Sequence, residues 1–390
     1  MSEWKVCKLG DVVNISTGYS FKGNLYEFSG SLRAVRGENI TEGTLRWDSE
    51  KFWNHPYDEK YLLETNDIVI GMDGSKVGKN RAKIKEKDLP LILAQRVTRI
   101  QATALSNQSF IWYTIYSQNF INYVEAIHTG TSIPHISMKQ ISDFEILIPA
   151  LDEQKVIAEV LSSLDDKIDL LHHQNKTLEE LAQTLFRQWF IEEANDEWEE
   201  VTLGDFVKTN VLTLKKDSSL KTIQYLDTSS LTEGKIDSFQ QLDLSEAPSR
   251  AKRIVKHNDV LISTVRPNQK HYGIIKNPTE DMIVSTGYCV VSCEQLNPHF
   301  IYILLTTDDM TEYLHSIAEG STSTYPSLKP SDIEAVEFLL PPEDKLKKFS
   351  DYADNAWDKI DNNHIQIKTL ENMRDTLLPK LMSGEVRVTH

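Results

Sequence analysis

No apolar run of about eighteen residues occurs in this 390-residue chain, so no membrane-spanning helix is expected. The opening MSEWKVCKLGD is charged and lacks the apolar centre of a signal peptide. Cysteine is scarce. Cys7, Cys289 and Cys293 are too few for a disulfide framework, and no His or Cys pair nearby completes a zinc set. Together these absences predict a cytoplasmic protein whose thiols are core residues. Any excess of basic charge is missing too: the net charge is −16. The acidity is local, however. Residues 1–151 carry 17 basic and 17 acidic side chains, 201–341 carry 13 and 18, and 342–390 carry 8 and 9, whereas 152–200 carry 4 and 14. A segment of that sign faces water or a basic partner rather than nucleic acid.

Signatures of catalysis are also lacking. The chain has no Walker loop, GxSxG elbow, HExxH or Cys/His metal set. Gly71-Met72-Asp73-Gly74 lacks the third glycine and the following helix of a dinucleotide loop. Pro342-Glu343-Asp344-Lys345 has a nuclease-like carboxylate–lysine pair, but it opens a helix, where acids favour the positive end of the dipole. His172 and His173 fall on a helix flank as solvated residues.

What is present is a long heptad pattern without Pro or Gly. Ile157, Leu161, Leu164, Ile168, Leu171, Asn175, Leu178, Ala182, Leu185 and Trp189 step by four and three, the 3.5-residue period of a coiled-coil seam. At about 1.5 Å per residue this is a rod roughly 50 Å long. Shifted by 192 residues, the pattern returns as Phe349, Ala353, Ala356, Ile360, Asn363, Ile367, Leu370, Arg374, Leu377 and Leu381. Asn175, Asn363 and Arg374 are polar insertions of the kind that set register and partner. The intervening Asp165, Asp166 and Asp169 read as a solvated acidic flank, a candidate dock for a partner protein.

The echo covers the whole chain. Trp4 opens WKVCKLGDVV and Trp198 opens WEEVTLGDFV; Asn66-Asp67-Ile68-Val69-Ile70 is answered by Asn258-Asp259-Val260-Leu261-Ile262. A period this long means duplicated domains rather than a solenoid. Each half reads as a mixed α/β globule, strands in majority, followed by a rod. Strands are expected over 67–71, 96–100 and 144–148, and over 260–265, 289–292 and 335–340, with one helix per globule near 109–127 and 298–317. The strand order is not legible. Only a short hinge (192–197) separates the first rod from the second globule, so the rods are expected to pair antiparallel, with the globules at opposite ends and related by a pseudo-two-fold.

Basic windows mark the globules. Lys76, Lys79, Arg81 and Lys83 follow the 67–71 strand, and Arg96 opens the next one; Arg250, Lys252 and Arg253 precede the equivalent second-half strand, and Arg266, Lys270 and His271 follow it. Basic loops on a strand scaffold can neutralise phosphates and reach base edges. A hydroxyl-rich loop recurs as well, with Thr131 and Ser132 against Thr322, Ser323 and Tyr325, equally readable as phosphate contacts or as structural turns.

Two globules opening W-x-x-x-x-L-G-D and closing in an I/F-x-x-P strand before a heptad helix resemble the specificity subunit of type I restriction–modification systems. The helix openings Ile148-Pro149-Ala150-Leu151-Asp152-Glu153-Gln154-Lys155 and Leu340-Pro341-Pro342-Glu343-Asp344-Lys345 carry the resemblance, as do the endings Thr184-Leu185-Phe186 and Thr376 to Glu385. It implies target recognition domains over 1–150 and 193–341, a central helix over 151–192, and a second helix with a tail over 342–390. It implies a non-catalytic reader of a bipartite, asymmetric site on double-stranded DNA. The paired helices would set the spacer and dock two methylation subunits, with a restriction motor–nuclease subunit joining through the complex. S-adenosylmethionine, ATP and Mg would belong to those partners, and this chain would hold no cofactor. An Asn-Pro-Pro-Tyr or Asp-Pro-Pro-Tyr segment, expected by resemblance to amino-methyltransferases, is absent. The competing readings are an enzyme acting on DNA by itself and a protein-binding scaffold.

Overall fold

The computed structural model describes residues 4–127, 134–195, 197–215, 218–320 and 327–388. The chain divides into two compact units, Met1–Leu170 with Gln366–His390, and Leu171–Ile365. Both long helices, Leu151–Arg187 and Glu343–Ser383, therefore contribute to each unit. No helix among the described residues is long and apolar enough to cross a membrane.

In the first unit a five-stranded sheet runs in the order Val13–Thr17, Val97–Ala102, Ile68–Gly71, Arg81–Lys83 and Glu42–Gly43. A three-stranded sheet orders Arg33–Val35, Leu91–Leu93 and Leu62–Leu63, the first pair parallel. Strand Lys5–Lys8 pairs antiparallel with Glu145–Ile148, which returns the chain to the start of the long helix. Ile68, Val69 and Ile70 are fully buried because helices cover one face of their sheet and the small sheet covers the other.

The second unit repeats this plan. One four-stranded sheet orders Val207–Thr209, Tyr288–Cys293, Val260–Ser263 and Tyr272–Ile274; another orders Gln240–Asp243, Thr222–Leu226, Met282–Ser285 and Ala251–Ile254. Cys289 is a fully buried free thiol, and burial pushes it up to about 12. The fold is mixed α/β with long helices, built twice.

The single helix expected per globule is two. Gln108–Tyr116 is followed by Gln118–Ile127, and Pro298–Thr306 by Asp308–Glu319. The breaks fall at Ser117 and Thr307, whose ψ values of 154° and 151° are extended. Each hydroxyl caps the helix that follows: Phe120 N–H donates to Ser117 Oγ (3.4 Å) and Met310 N–H to Thr307 Oγ1 (3.2 Å). A hydroxyl three residues ahead of an orphan N–H competes with helix continuation. A further short helix, Met138–Ser142 or Pro330–Glu334, precedes the closing strand of each unit.

The long helices carry each unit's core onward. In the first unit Ile157, Ala158 and Leu161 share a core with Leu378 and Leu381, and Gln154 fastens the helix start. Gln154 Oε1 accepts from Asn107 N–H at 2.9 Å, and its amide donates to Pro149 O at 3.0 Å and Leu105 O at 3.3 Å. Asp165 accepts from Arg374 at 3.1 Å, and Glu153 at the helix start is held by Arg387, Nη2 to Oε2 2.7 Å. In the second unit Ala182, Phe186 and Phe190 pack with Phe349, Ala353, Ala356, Trp357 and Ile360. Of the seam positions, Leu161, Ile168, Leu171, Asn175, Ala353, Ile360, Asn363 and Ile367 are buried, and Leu164, Leu178 and Leu370 are half-buried. The expected seam end drifts, however. Phe186 and Phe190 are buried where Leu185 and Trp189 are only half-buried. A straight helix of 3.6 residues per turn rotates about 20° per heptad away from a 3.5 repeat. The first helix then ends in a wider turn, Gln188–Glu192, in which Glu193 N–H donates to Gln188 O at 2.9 Å.

Asn175 and Asn363 meet in the second unit. Asn363 Nδ2 donates to Asn175 Oδ1 at 2.7 Å and to Gln174 Oε1 at 3.1 Å, while Asn175 Nδ2 and Asn363 Oδ1 are buried without partners among the described residues. Removing one member strands the other in an apolar seam. Asn363→Leu is therefore expected to destabilise by about 1–3 kcal/mol in urea unfolding, whereas the double change Asn175→Leu, Asn363→Leu recovers that loss or exceeds it. A double variant weaker than the single would show that the pair stabilises the seam outright.

Candidate nucleic-acid interface

Antiparallel pairing of Ile68–Gly71 with Val97–Ala102 sets Gly71 opposite Val97, so the loop leaving one strand meets the loop entering the other. Met72 N–H donates to Arg96 O at 2.9 Å, Ile136 N–H donates to Met72 O at 2.8 Å, and Gly74 N–H donates to Pro134 O at 3.2 Å. These bonds frame a cleft of about 720 Å³ lined by Phe21, Tyr26, Arg36, Asp73, Ser75, Lys76, Asn80, Gln95 and Arg96, among others. Asp73 is the organiser. One carboxylate oxygen holds Arg96 Nη1 at 3.1 Å and the other is bonded to His135 Nδ1. Arg36 lies over the Tyr26 ring, 5.6 Å from its centroid, donates to Ser49 O at 2.9 Å and pairs with Glu38. Lys76 extends into solvent, 3.7 Å from Glu42.

The basic run after this strand is not a single patch. Arg81 is buried and donates to Gly78 O at 2.7 Å and Tyr116 O at 2.8 Å. Lys83 reaches Ser109 Oγ at 3.3 Å, and burial holds its ammonium below the usual lysine range despite nearby Asp165 and Asp166. Lys85 pairs with Asp169. Residues two apart share a strand face, and the sheet turns these cations toward the helices. Arg81 and Lys83 thus leave the candidate interface, and Lys79 turns to Glu125 at 3.6 Å. The acidic flank is corrected in part: Asp165 also accepts Tyr113 OH at 2.7 Å and Asp169 is paired with Lys85, so these two are engaged within the unit, while Asp166 is exposed as expected.

In the second unit, backbone bonds join the equivalent segments. Thr286 N–H donates to Arg250 O at 2.8 Å, and Thr264 N–H donates to Gly287 O at 2.8 Å. Arg250, Lys252 and Arg266 are exposed on this edge, and Arg266 has a left-handed φ of 47°. Arg253 is half-buried with Nη1 3.4 Å from Thr213 Oγ1. Lys270 is drawn to Asp308 (2.8 Å) and Glu233 (3.4 Å). His271 Nδ1 lies 2.8 Å from Leu231 O and 3.2 Å from Thr232 Oγ1. Thr131, Ser132, Thr322, Ser323 and Tyr325 lie outside the described residues.

Sequence reasoning missed Arg36, Asn80, Gln95 and Tyr26. Gln95 directly precedes Arg96 and could have been taken with it; Arg36 comes from a different sheet and carries no local signal. The arrangement offers guanidinium and amide donors, an ammonium and aromatic faces in one concave surface. That set suits phosphates and base edges.

Comparison with known proteins adds an independent line. A family model described as type I restriction modification DNA specificity domain matches the chain twice, over residues 1–180 and 195–372. The type I restriction enzyme MjaIX specificity subunit of Methanocaldococcus jannaschii is 28% identical over 426 residues, covering 99% of this chain and 94% of that protein. The HindI specificity subunit of Haemophilus influenzae is 22% identical, covering 99% and 100%. Among solved structures, the S subunit of a type I restriction–modification system from M. genitalium superposes with a TM-score of 0.60 at 17% identity, covering 99% of this chain and 97% of that one, a likeness of fold.

Proposed function

Because this chain belongs to the type I restriction modification DNA specificity family, we propose that it is the sequence-recognition subunit of a type I restriction–modification complex. Residues 1–150 and 193–341 each read one half of a bipartite, asymmetric duplex target. The helices over 151–192 and 342–390 pair as an antiparallel coiled coil about a pseudo-two-fold and hold the halves at a set spacing. They also dock two methylation subunits, and a restriction subunit joins through the complex. Methylation and cleavage belong to those partners, with S-adenosylmethionine, ATP and Mg; this chain contributes recognition, in the cytoplasm. The observation that carries the reading is the repetition: one family model matches twice, and each match contains a cationic loop edge on an equivalent pair of strands.

Modularity tests it. Replacing residues 1–150 by those of a relative, in cells carrying the methylation subunits, is expected to change one half of the methylated motif and leave the other intact. Adenine methylation mapped across the genome is the readout. Changes in both halves, or none in either, would sink the assignment of one half-site to each domain.

A further inference from the structure

Arg96 differs from Lys76, the other exposed cation lining this cleft, in how firmly it is held. Its φ of 63° is left-handed, a conformation that costs a non-glycine residue energy and persists where surroundings impose it. Its carbonyl is fixed by Met72 N–H at 2.9 Å, and its guanidinium by Asp73 at 3.1 Å. Asp73 is itself steered by His135. Yet the Arg96 side chain is 72% exposed. A contact to phosphate needs charge and reach, which Lys76 supplies without strain. A fixed planar fork, gripped at one end with further N–H donors facing outward, is what the O6 and N7 acceptors of guanine demand. Gln95, beside it in the cleft, offers an amide to the neighbouring base. The second unit has Gly287 at the equivalent position, its carbonyl bound by Thr264 N–H at 2.8 Å, so the guanidinium does not recur at that position.

We propose that Arg96 reads a guanine in the major groove, in the half-site contacted by residues 1–150, with Asp73 as its positioning residue. The assignment rests on the DNA-reading function above. The test uses the chain assembled with its methylation subunits. The target is first defined by methylation mapping, then each base pair of both halves is replaced in turn and binding is measured. A wild-type complex that shows no bipartite preference defeats the DNA reading itself; a target whose first half has no G·C pair defeats Arg96 alone. Arg96→Ala and Arg96→Lys are both expected to lose about 10- to 100-fold discrimination at one G·C pair and to keep the second half unchanged. Asp73→Asn should give a smaller loss at the same pair. If Arg96→Lys keeps full discrimination, or if Arg96→Ala weakens every duplex equally, the residue contacts phosphate and the proposal is overturned. Should Arg96→Ala not assemble, Arg96→Lys, which keeps stem and charge, decides by itself.

Discussion

Replacing Phe186 by alanine is expected to lower the stability of the second unit by about 3–5 kcal/mol. Phe186 is 2% exposed and lies among three other phenylalanine rings, with centroids 5.1 Å away for Phe300, 5.3 Å for Phe190 and 5.9 Å for Phe349. These rings come from both long helices and from the globule helix Pro298–Thr306, so the cavity would open where three helices converge. Edge and tilted packing of this kind adds to the buried area of each ring. The neighbouring Leu185, which the heptad count assigns to the seam, is only half-buried, and its truncation should cost about 1–2 kcal/mol. Urea unfolding of the two variants separates the cases. If Leu185→Ala is as damaging as Phe186→Ala, the supercoiled 3.5-residue repeat, not the straighter helix, describes the protein in solution.

That comparison shows where the sequence is informative. Periodicity places the long helices because every candidate core residue sits on one continuous element, and a drift of one position per few turns is all that goes astray. The strands Ile68–Gly71 and Val260–Ser263 are equally legible, being continuous apolar runs closed by turn residues. The cationic windows mislead because Arg81 and Lys83, two apart on one strand, share the face that the sheet turns to the helices, whereas Lys76 and Arg96 stand in the loops outside the strands. Lys76 and Arg96 reach the cleft, while Arg81, Lys83 and Lys85 turn to the helices and meet Tyr116, Ser109 and Asp169. Nor could the pattern supply Arg36, since Arg33–Val35 joins the smaller sheet through a parallel pairing with Leu91–Leu93, far along the chain. Ser117 and Thr307 are a different case. Their capping hydroxyls stand in plain view, but the flanking apolar periodicity runs across them and suggests one helix.

The second unit is expected to lose several kcal/mol of stability between pH 6.5 and pH 3 through one buried side chain, His299. It is 2% exposed, stacked on Trp357 at 4.5 Å between centroids, and bonded at both nitrogens. Lys276 Nζ donates to Nε2 at 2.8 Å, which leaves the ring proton on Nδ1, where it donates to Asp354 Oδ1 at 3.1 Å. Burial, then Lys276 and His257, lower the imidazole to about 3. The folded ring is thus neutral where the unfolded ring, titrating near 6.5, takes up a proton. Stability is fully present above the unfolded pKa and drains away as pH falls toward the folded one. Lys276, His257 and Asp354 are retained in a His299→Gln variant, so the comparison isolates the imidazole. Urea midpoints measured at pH 7.5, 6 and 5 should fall more steeply for the parent than for the variant. Parallel slopes would mean that the imidazole is protonated in the folded protein and that Asp354 stabilises its charge. The first unit supplies the contrast, because there the buried lysine, Lys83, meets Ser109, a hydroxyl that does not titrate. Acid sensitivity from this position is therefore expected in one of the two duplicated units and not in the other.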